Sequence, residues 1–142
     1  MSTRSQVFMI NSGVYLYQHS DGYNLPEEVQ EALRLKLRWN DEEYLTRVIF
    51  ETLIKGSLDR EHGFGIGTIQ HSDIEWLVEV DVDAQTIVVK NGYGQKFHEV
   101  WNGPFEKFCK KATLSQIQAN IEHYNKIDAM ECYEDVWVYL AL

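Results

Sequence analysis

The chain has few cysteines, few basic residues and no long apolar run, and each shortage excludes a class of protein. Its two cysteines, Cys109 and Cys132, lack CxxC spacing and are too few for a disulfide framework, so we expect reduced, packed thiols. Thirteen basic against 22 acidic residues give a formal net charge of −9, which opposes nonspecific attraction to nucleic acid or anionic lipid. No segment approaches a membrane span or resembles a secretory leader. These shortages predict a cytoplasmic protein with no membrane partner and no direct nucleic-acid partner.

Material for a core is abundant, since 44% of the 142 residues are hydrophobic and 13% are aromatic. That composition fits one domain over residues 1–142. Patterns of period two predict a hairpin over 5–18 and strands over 68–83, 86–90 and 96–101. Helical patterns predict helices from Pro26 and from about residue 40, a short helix opened by Gly103-Pro104, and a longer helix that includes 114–124. The apolar segment 136–142 is predicted as a strand or a docking tail. We therefore expect an α+β domain whose largely antiparallel sheet has helices packed on one face.

Details of three segments bear on the outcome. The first helix is predicted to run far enough for Leu37 to share its apolar face with Val29 and Leu33, and Asn40 is predicted to cap the second helix. The sequence Gly-Phe-Gly-Ile-Gly at 63–67 lacks the Lys-Ser/Thr ending of a phosphate loop. It predicts a flexible loop or the entry to a strand.

The tetrapeptide Gln-His-Ser-Asp occurs twice, at 18–21 and at 70–73, each time at the end of a predicted strand. The flanking residues do not repeat, so the chain is no tandem array. Two copies of an imidazole, a hydroxyl and a carboxylate are instead interpreted as converging on one pocket. The residues predicted to bind a ligand there are Arg4, His19, Asp21, Tyr23, His71 and Asp73.

Each of these residues also has a purely structural interpretation. A guanidinium such as Arg4 binds phosphate or carboxylate, but it also forms ion pairs, here with Asp21 or Asp73. In Asp21-Gly22, Gly is expected to supply a positive φ and Asp to accept backbone hydrogen bonds, as in an ordinary turn. Tyr23 offers a stacking face and a hydroxyl to a ligand, or packs against the first helix.

Acidic residues recur at alternate positions beyond the second copy. If one strand is continuous over 68–83, alternation places a row of acids on the same face as His71: Asp73, Glu75, Glu79, Asp81 and Asp83. Such a row suits a divalent cation, general acid–base chemistry, or simply solvation. Glu79, Asp81 and Asp83 also provide an alternative surface for a basic protein partner. Because HExxH and G-x-S-x-G motifs are absent, we expect no metal and no cofactor, and we lean against an enzyme.

The opening Ser2-Thr3-Arg4-Ser5, the hairpin and Tyr-Gln-His-Ser-Asp-Gly-Tyr at 17–23 resemble a group of small bacteriophage and prophage proteins. These share an N-terminal Thr-Arg-Ser and, shortly after, an aromatic residue, a His or Gln, and Asp-Gly-Tyr-Pro. The similarity extends through the helical pair to 71–75. In this chain Asn24 and Leu25 separate Tyr23 from Pro26. The resemblance implies a phage context, in which small accessory proteins bind host proteins or host-made molecules such as nucleotide signals of bacterial immunity.

These observations favour a non-enzymatic, phage-derived binding protein that modulates a host pathway by sequestering a small polar ligand, such as a nucleotide derivative. One alternative is an acidic inhibitor of a host nuclease or DNA-binding protein. A second is a metal-dependent hydrolase that uses the His and Asp set. A homo-oligomer is expected because the apolar end of the chain and open sheet edges need cover.

Overall fold

The computed structural model describes residues 3–57, 59, 63–93 and 96–141. It contains the strands β1 (Ser5–Met9), β2 (Val14–Gln18), β3 (Phe64–Gly67), β4 (Trp76–Asp81), β5 (Thr86–Tyr93) and β6 (Lys96–Pro104). Its helices are α1 (Leu25–Arg34), α2 (Glu42–Ile54), α3 (Phe105–Phe108) and α4 (Ala112–Ala141), and a 3₁₀ turn spans Gly22–Asn24. The predicted α+β class is confirmed.

The six strands form one sheet in the order β3-β2-β1-β4-β5-β6. Every neighbouring pair is antiparallel except β1 and β4, so the sheet is largely antiparallel, as predicted. The β1–β2 hairpin closes where Gly13, at φ 77°, donates its N–H to the Met9 carbonyl at 2.9 Å. The pair β1–β4 is parallel because the chain leaves the sheet through α1 and α2, returns as β3 at the far edge, and then crosses back to β4.

The core lies on one face of the sheet, where alternate strand residues meet all four helices. Val7, Leu16, Val78, Val89 and their equivalents point to this face and form one cluster with residues of α1, α2, α3 and the first half of α4. Burying such side chains contributes roughly 1.5–3 kcal/mol each. The helices therefore pack on one side, as the sequence predicted, and the other side of the sheet, here called the open face, carries no helix of the described chain.

Residues 68–75, here called the crossing segment, run across the open face from β3 to the start of β4. Gln6 fastens the segment: its Nε2 donates to the Ile69 carbonyl at 3.1 Å, and its Oε1 accepts from the His71 N–H at 2.9 Å. The Glu75 N–H then donates to the Arg4 carbonyl at 2.8 Å. The prediction of a continuous strand over 68–83 is therefore wrong, because β4 begins only at Trp76. The period-two alternation does not extend back to His71 and Asp73.

The helices differ from prediction at their ends. Helix α1 ends at Arg34, so Leu37 lies outside it and is exposed. The cap of α2 is Asp41, whose carboxylate accepts from the Tyr44 N–H, and not Asn40. Residues 136–141, predicted as a strand or docking tail, continue α4 as far as Ala141. None of the described helices combines the length and apolar composition needed to cross a bilayer.

Candidate functional site

Four of the six predicted ligand residues meet around Tyr17 on the open face. Arg4, Tyr17, His19, His71 and Asp73 are here called the Tyr17 cluster. The imidazole of His71 packs on the Tyr17 ring with 4.4 Å between centroids, and the Tyr17 hydroxyl lies 3.0 Å from His19 Nδ1. The two Gln-His-Ser-Asp copies are thus adjacent through their histidines, which approach one tyrosine from two distant parts of the chain.

Arg4 and Asp73 complete the Tyr17 cluster with an ion pair. Arg4 Nη1 lies 2.6 Å from Asp73 Oδ2, and the two side chains are 38% and 50% exposed. This is one of the two ion pairs that the sequence left open for Arg4. A guanidinium carries five N–H donors, so this contact leaves others for a second oxygen.

Protonation of Tyr17 follows from its surroundings. Burial is the largest influence and raises the pKa of its hydroxyl; the nearby charge of Arg4 opposes that rise and the charge of Asp73 adds to it. The hydroxyl therefore keeps its proton at neutral pH. It donates that proton to His19 Nδ1 when the imidazole carries its own proton on Nε2.

Gln6 is a site residue that sequence reasoning missed. It is fully buried on the open-face side of β1, beneath the crossing segment, and its two hydrogen bonds fix the backbone of Ile69 and His71. Its signal in the sequence is weak, namely one long polar side chain inside an otherwise β-like run. Without knowledge of the crossing segment, that residue looks like solvent-facing alternation.

Asp21 lies apart from the Tyr17 cluster. It lines an open cavity of about 390 Å³ that also borders α1 and the end of α2. The turn chemistry also differs from prediction, because Asp21 itself takes the positive φ, at 61°. Gly22 is needed because its backbone lies very close to that of Thr3. Its N–H donates to the Thr3 carbonyl at 2.9 Å, and a Cβ on residue 22 would lie 2.6 Å from that oxygen.

Tyr23 is also separate from the Tyr17 cluster. It is 61% exposed and borders a different cavity, of about 270 Å³, between the start of α1 and helix α4. Trp76 and Ile117 line the same cavity. Tyr23 thus lies beside the first helix, as the structural interpretation expects, but most of its surface is exposed and not packed against that helix.

The acids proposed for a basic partner are engaged within the chain. Glu79 pairs with Lys90 across β4 and β5 at 2.9 Å. Asn11 donates to Asp83 at 3.0 Å and to Asp81 at 3.4 Å. In the part of the chain that is described, no three His, Cys, Asp or Glu side chains lie close enough together to hold a metal ion, which is the arrangement that the hydrolase alternative requires.

A third histidine, His98, makes side-chain contacts that the spacing of the sequence did not indicate. His98 of β6 lies with Nε2 3.2 Å from a carboxylate oxygen of Asp128, and its ring stacks on Tyr124 with 4.3 Å between centroids. Asp128 and Tyr124 belong to α4, so these contacts help to hold that helix against the sheet. His62 lies outside the described residues.

No protein-family model matches the chain, and no match was found among curated proteins or among solved structures. The Tyr17 cluster combines aromatic and imidazole rings with a guanidinium on a surface that no described helix covers. Stacked rings beside a guanidinium are groups that recognise a planar, anionic molecule.

Proposed function

We propose that the chain is a non-enzymatic binding protein that captures a small polar ligand, of the nucleotide class, at the Tyr17 cluster. In keeping with the resemblance of its first two-thirds to phage proteins, we place it in the cytoplasm of a bacterial host, where it modulates a defence pathway. The observation that carries the proposal is the meeting of His19 and His71 on Tyr17 beside Arg4.

The ligand chemistry follows from the groups that the Tyr17 cluster presents. Tyr17 and His71 have rings with polar atoms, and such rings stack on planar nucleobases. The entropic cost is low because each side chain has only two torsions. Arg4 supplies the donors that bind phosphate oxygens in a bidentate manner. A net charge of −9 opposes binding of long nucleic acids, but it does not prevent a local guanidinium from holding a single nucleotide.

Two glycines of β3 support a surface kept clear beside these rings. Gly65 and Gly67 pair with Tyr17 and Tyr15 and so point to the open face. Packing does not require glycine here: a Cβ at Gly65 would make only an ordinary contact with Tyr17 at 3.9 Å, and one at Gly67 would touch nothing within 4 Å. Neither residue has the positive φ that demands glycine. Their small size leaves room for a ligand next to the Tyr17 cluster.

Two experiments test whether the chain binds a nucleotide. The first denatures a purified sample and analyses the supernatant for released nucleotides. The second measures the thermal shift of the protein with cyclic dinucleotides and with ADP-ribose-type nucleotides. We expect one of these to stabilise the protein by mass action. Tyr17→Leu and Gly65→Val should abolish the shift, the first by removing the ring and the second by filling the space beside it. Tyr44→Leu, which removes an exposed tyrosine on α2, is the matched control and should leave the shift intact.

An empty supernatant together with no shift across the panel would refute the proposed ligand class. Equal loss in Tyr44→Leu would show that the variants act through stability alone. The proposal includes association of copies, since β3 is an outer strand of the sheet with Ile66 exposed, and Ile69 of the adjoining crossing segment is exposed beside it. Sedimentation of the same samples reports that state, and a monomer at all concentrations would remove it from the proposal.

A further inference from the structure

The cavity that Asp21 lines has a chemistry opposite to that of the Tyr17 cluster. It lies between the end of β2, helix α1 and the end of α2, and has a volume of about 390 Å³. Four carboxylates line it, from Asp21, Glu27, Glu28 and Glu31. Lys55 is the one cation among its described lining residues. The cavity therefore carries a net negative charge and favours cations.

Gln18 supplies a second observation that points to a ligand. It lines the cavity but is only 4% exposed, and its amide is fixed because Nε2 donates to the Ser20 carbonyl at 2.7 Å and to Glu28 Oε1 at 3.2 Å. Within the described structure, its Oε1 accepts no hydrogen bond. A buried acceptor without a donor costs about 1–3 kcal/mol, and a donor-rich ligand would remove that cost.

The arrangement of these groups indicates which cation fits. The carboxylates are not grouped tightly enough, among the described residues, to ligate one metal ion. Leu53, Ile54 and Phe64 give the cavity an apolar wall. An alkyl chain that ends in an ammonium group matches both features, since the chain contacts the wall while the ammonium donates three hydrogen bonds to separate oxygens.

One carboxylate at the rim of the cavity already pairs with an ammonium of the chain, and both side chains of that pair are more than half exposed. Lys55 Nζ lies 2.8 Å from Glu31 Oε2, at one side of the acidic set. That leaves Asp21, Glu27 and Glu28 for a second ammonium. Burial is the main cause that raises the pKa of Glu28, and the negative charges of Asp21 and Glu31 add to it, against the opposing influence of Gln18 and Lys55. A second cation beside these carboxylates would favour the ionised form of Glu28.

We propose that this cavity binds an aliphatic ammonium group between Gln18, Asp21, Glu27 and Glu28, either of a free diamine or of a lysine side chain. The proposal goes beyond the function assigned to the Tyr17 cluster and does not depend on it. The two sites lie on opposite sides of β2, with Gln18 facing the helices and Tyr17 the open face.

Calorimetric titration with 1,5-diaminopentane at about 0.15 M salt tests the site, because nonspecific surface attraction is largely screened there. We expect one molecule to bind per chain. The double variant Glu27→Gln/Glu28→Gln should weaken binding about tenfold, equivalent to about 1.4 kcal/mol. Glu43→Gln/Glu106→Gln makes the same change in net charge away from the cavity and should change affinity less than about twofold. Tyr17→Leu should leave diamine affinity unchanged, which separates this site from the Tyr17 cluster.

Further ligands identify the source of the ammonium and complete the test. Nα-acetyl-lysinamide that binds as well as the diamine assigns the cavity to a lysine of a partner protein, whereas much weaker binding assigns it to free diamines. Absence of binding by both overturns the proposal. So does equal binding of the neutral 1,5-pentanediol, or equal loss of affinity in the two double variants, which would indicate general charge screening.

Discussion

The two Gln-His-Ser-Asp copies have the same side chains but different surroundings. In the first copy Gln18 is buried on the helix side of the sheet, His19 reaches Tyr17 on the open face, and Asp21 lines the acidic cavity. In the second copy Gln70 lies near the Tyr15 hydroxyl, His71 packs on Tyr17 and Asp73 binds Arg4, so all three contact residues of the open face.

The difference arises from the backbone that carries each copy. Gln18 is the last residue of β2, so strand alternation sends neighbouring side chains to opposite faces. Residues 70–73 lie in the crossing segment, which has no such alternation and lies flat on one face. A repeated tetrapeptide therefore does not define a repeated role. Only the two histidines end in comparable places, and it is Tyr17, which lies in neither copy, that brings them together.

The largest expected effect comes from the residue that follows the second copy. Ile74 is 1% exposed and lies near the end of the crossing segment, two residues before β4 begins. It does not belong to the main core cluster. Ile74→Ala should reduce the free energy of unfolding by about 2–5 kcal/mol, because it leaves a cavity in a packed site. The matched control is Ile69→Ala in the same segment, which is 75% exposed and should stay within about 0.5 kcal/mol of the original chain.

Urea denaturation followed by tryptophan fluorescence measures both variants. Equal stability of Ile74→Ala and Ile69→Ala would mean that the crossing segment is not fastened to the sheet. The second copy would then lose the fixed position that distinguishes it from the first.

A smaller effect is expected from the residue that follows the first copy. A Cβ at Gly22 would lie 2.6 Å from the Thr3 carbonyl oxygen, so Gly22→Ala must displace the backbone before β1, at a cost of about 1–3 kcal/mol. Gly67→Ala is the matched control, since its Cβ would meet nothing within 4 Å and should cost close to zero. Thermal unfolding of the two variants gives the comparison. If Gly22→Ala unfolds at the same temperature as Gly67→Ala, the close approach is not needed to hold Asp21 and Arg4 in their places.

Periodicity and turn residues predicted those elements of the fold that form from neighbouring residues. The β1–β2 hairpin, the helix around Pro26, the alternation within β4 and the apolar face of α4 all follow from periodicity and turn residues. The crossing segment could not be predicted in this way, because its position is fixed by Gln6, more than 60 positions away in the sequence. In the sequence, Gln6 looks like an ordinary solvent-facing residue of a strand. Asp21 and Tyr23 were predicted to lie with Arg4 because they are close to His19 in the sequence. The turn at Gly22 instead places them at two separate cavities. The strand predicted for the C-terminal segment was wrong, because a short apolar run suits a strand or a helix equally well, whereas the docking tail stays a prediction.

The smallest expected effect concerns the ion pair that ties the second copy to the first strand. A double-mutant cycle with Arg4→Gln and Asp73→Asn should give a coupling free energy of about 0.2–1 kcal/mol, since both side chains are partly exposed and solvent screens them. Denaturant titrations at low salt and at about 1 M salt measure it, and the coupling should fall towards zero at the higher salt, where the Debye length is about 3 Å. In the Tyr17 cluster the same cycle separates two roles of Arg4. If Asp73→Asn leaves ligand affinity intact while Arg4→Gln removes it, the guanidinium binds the ligand directly; if both variants lose affinity equally, the ion pair acts by holding the crossing segment in place.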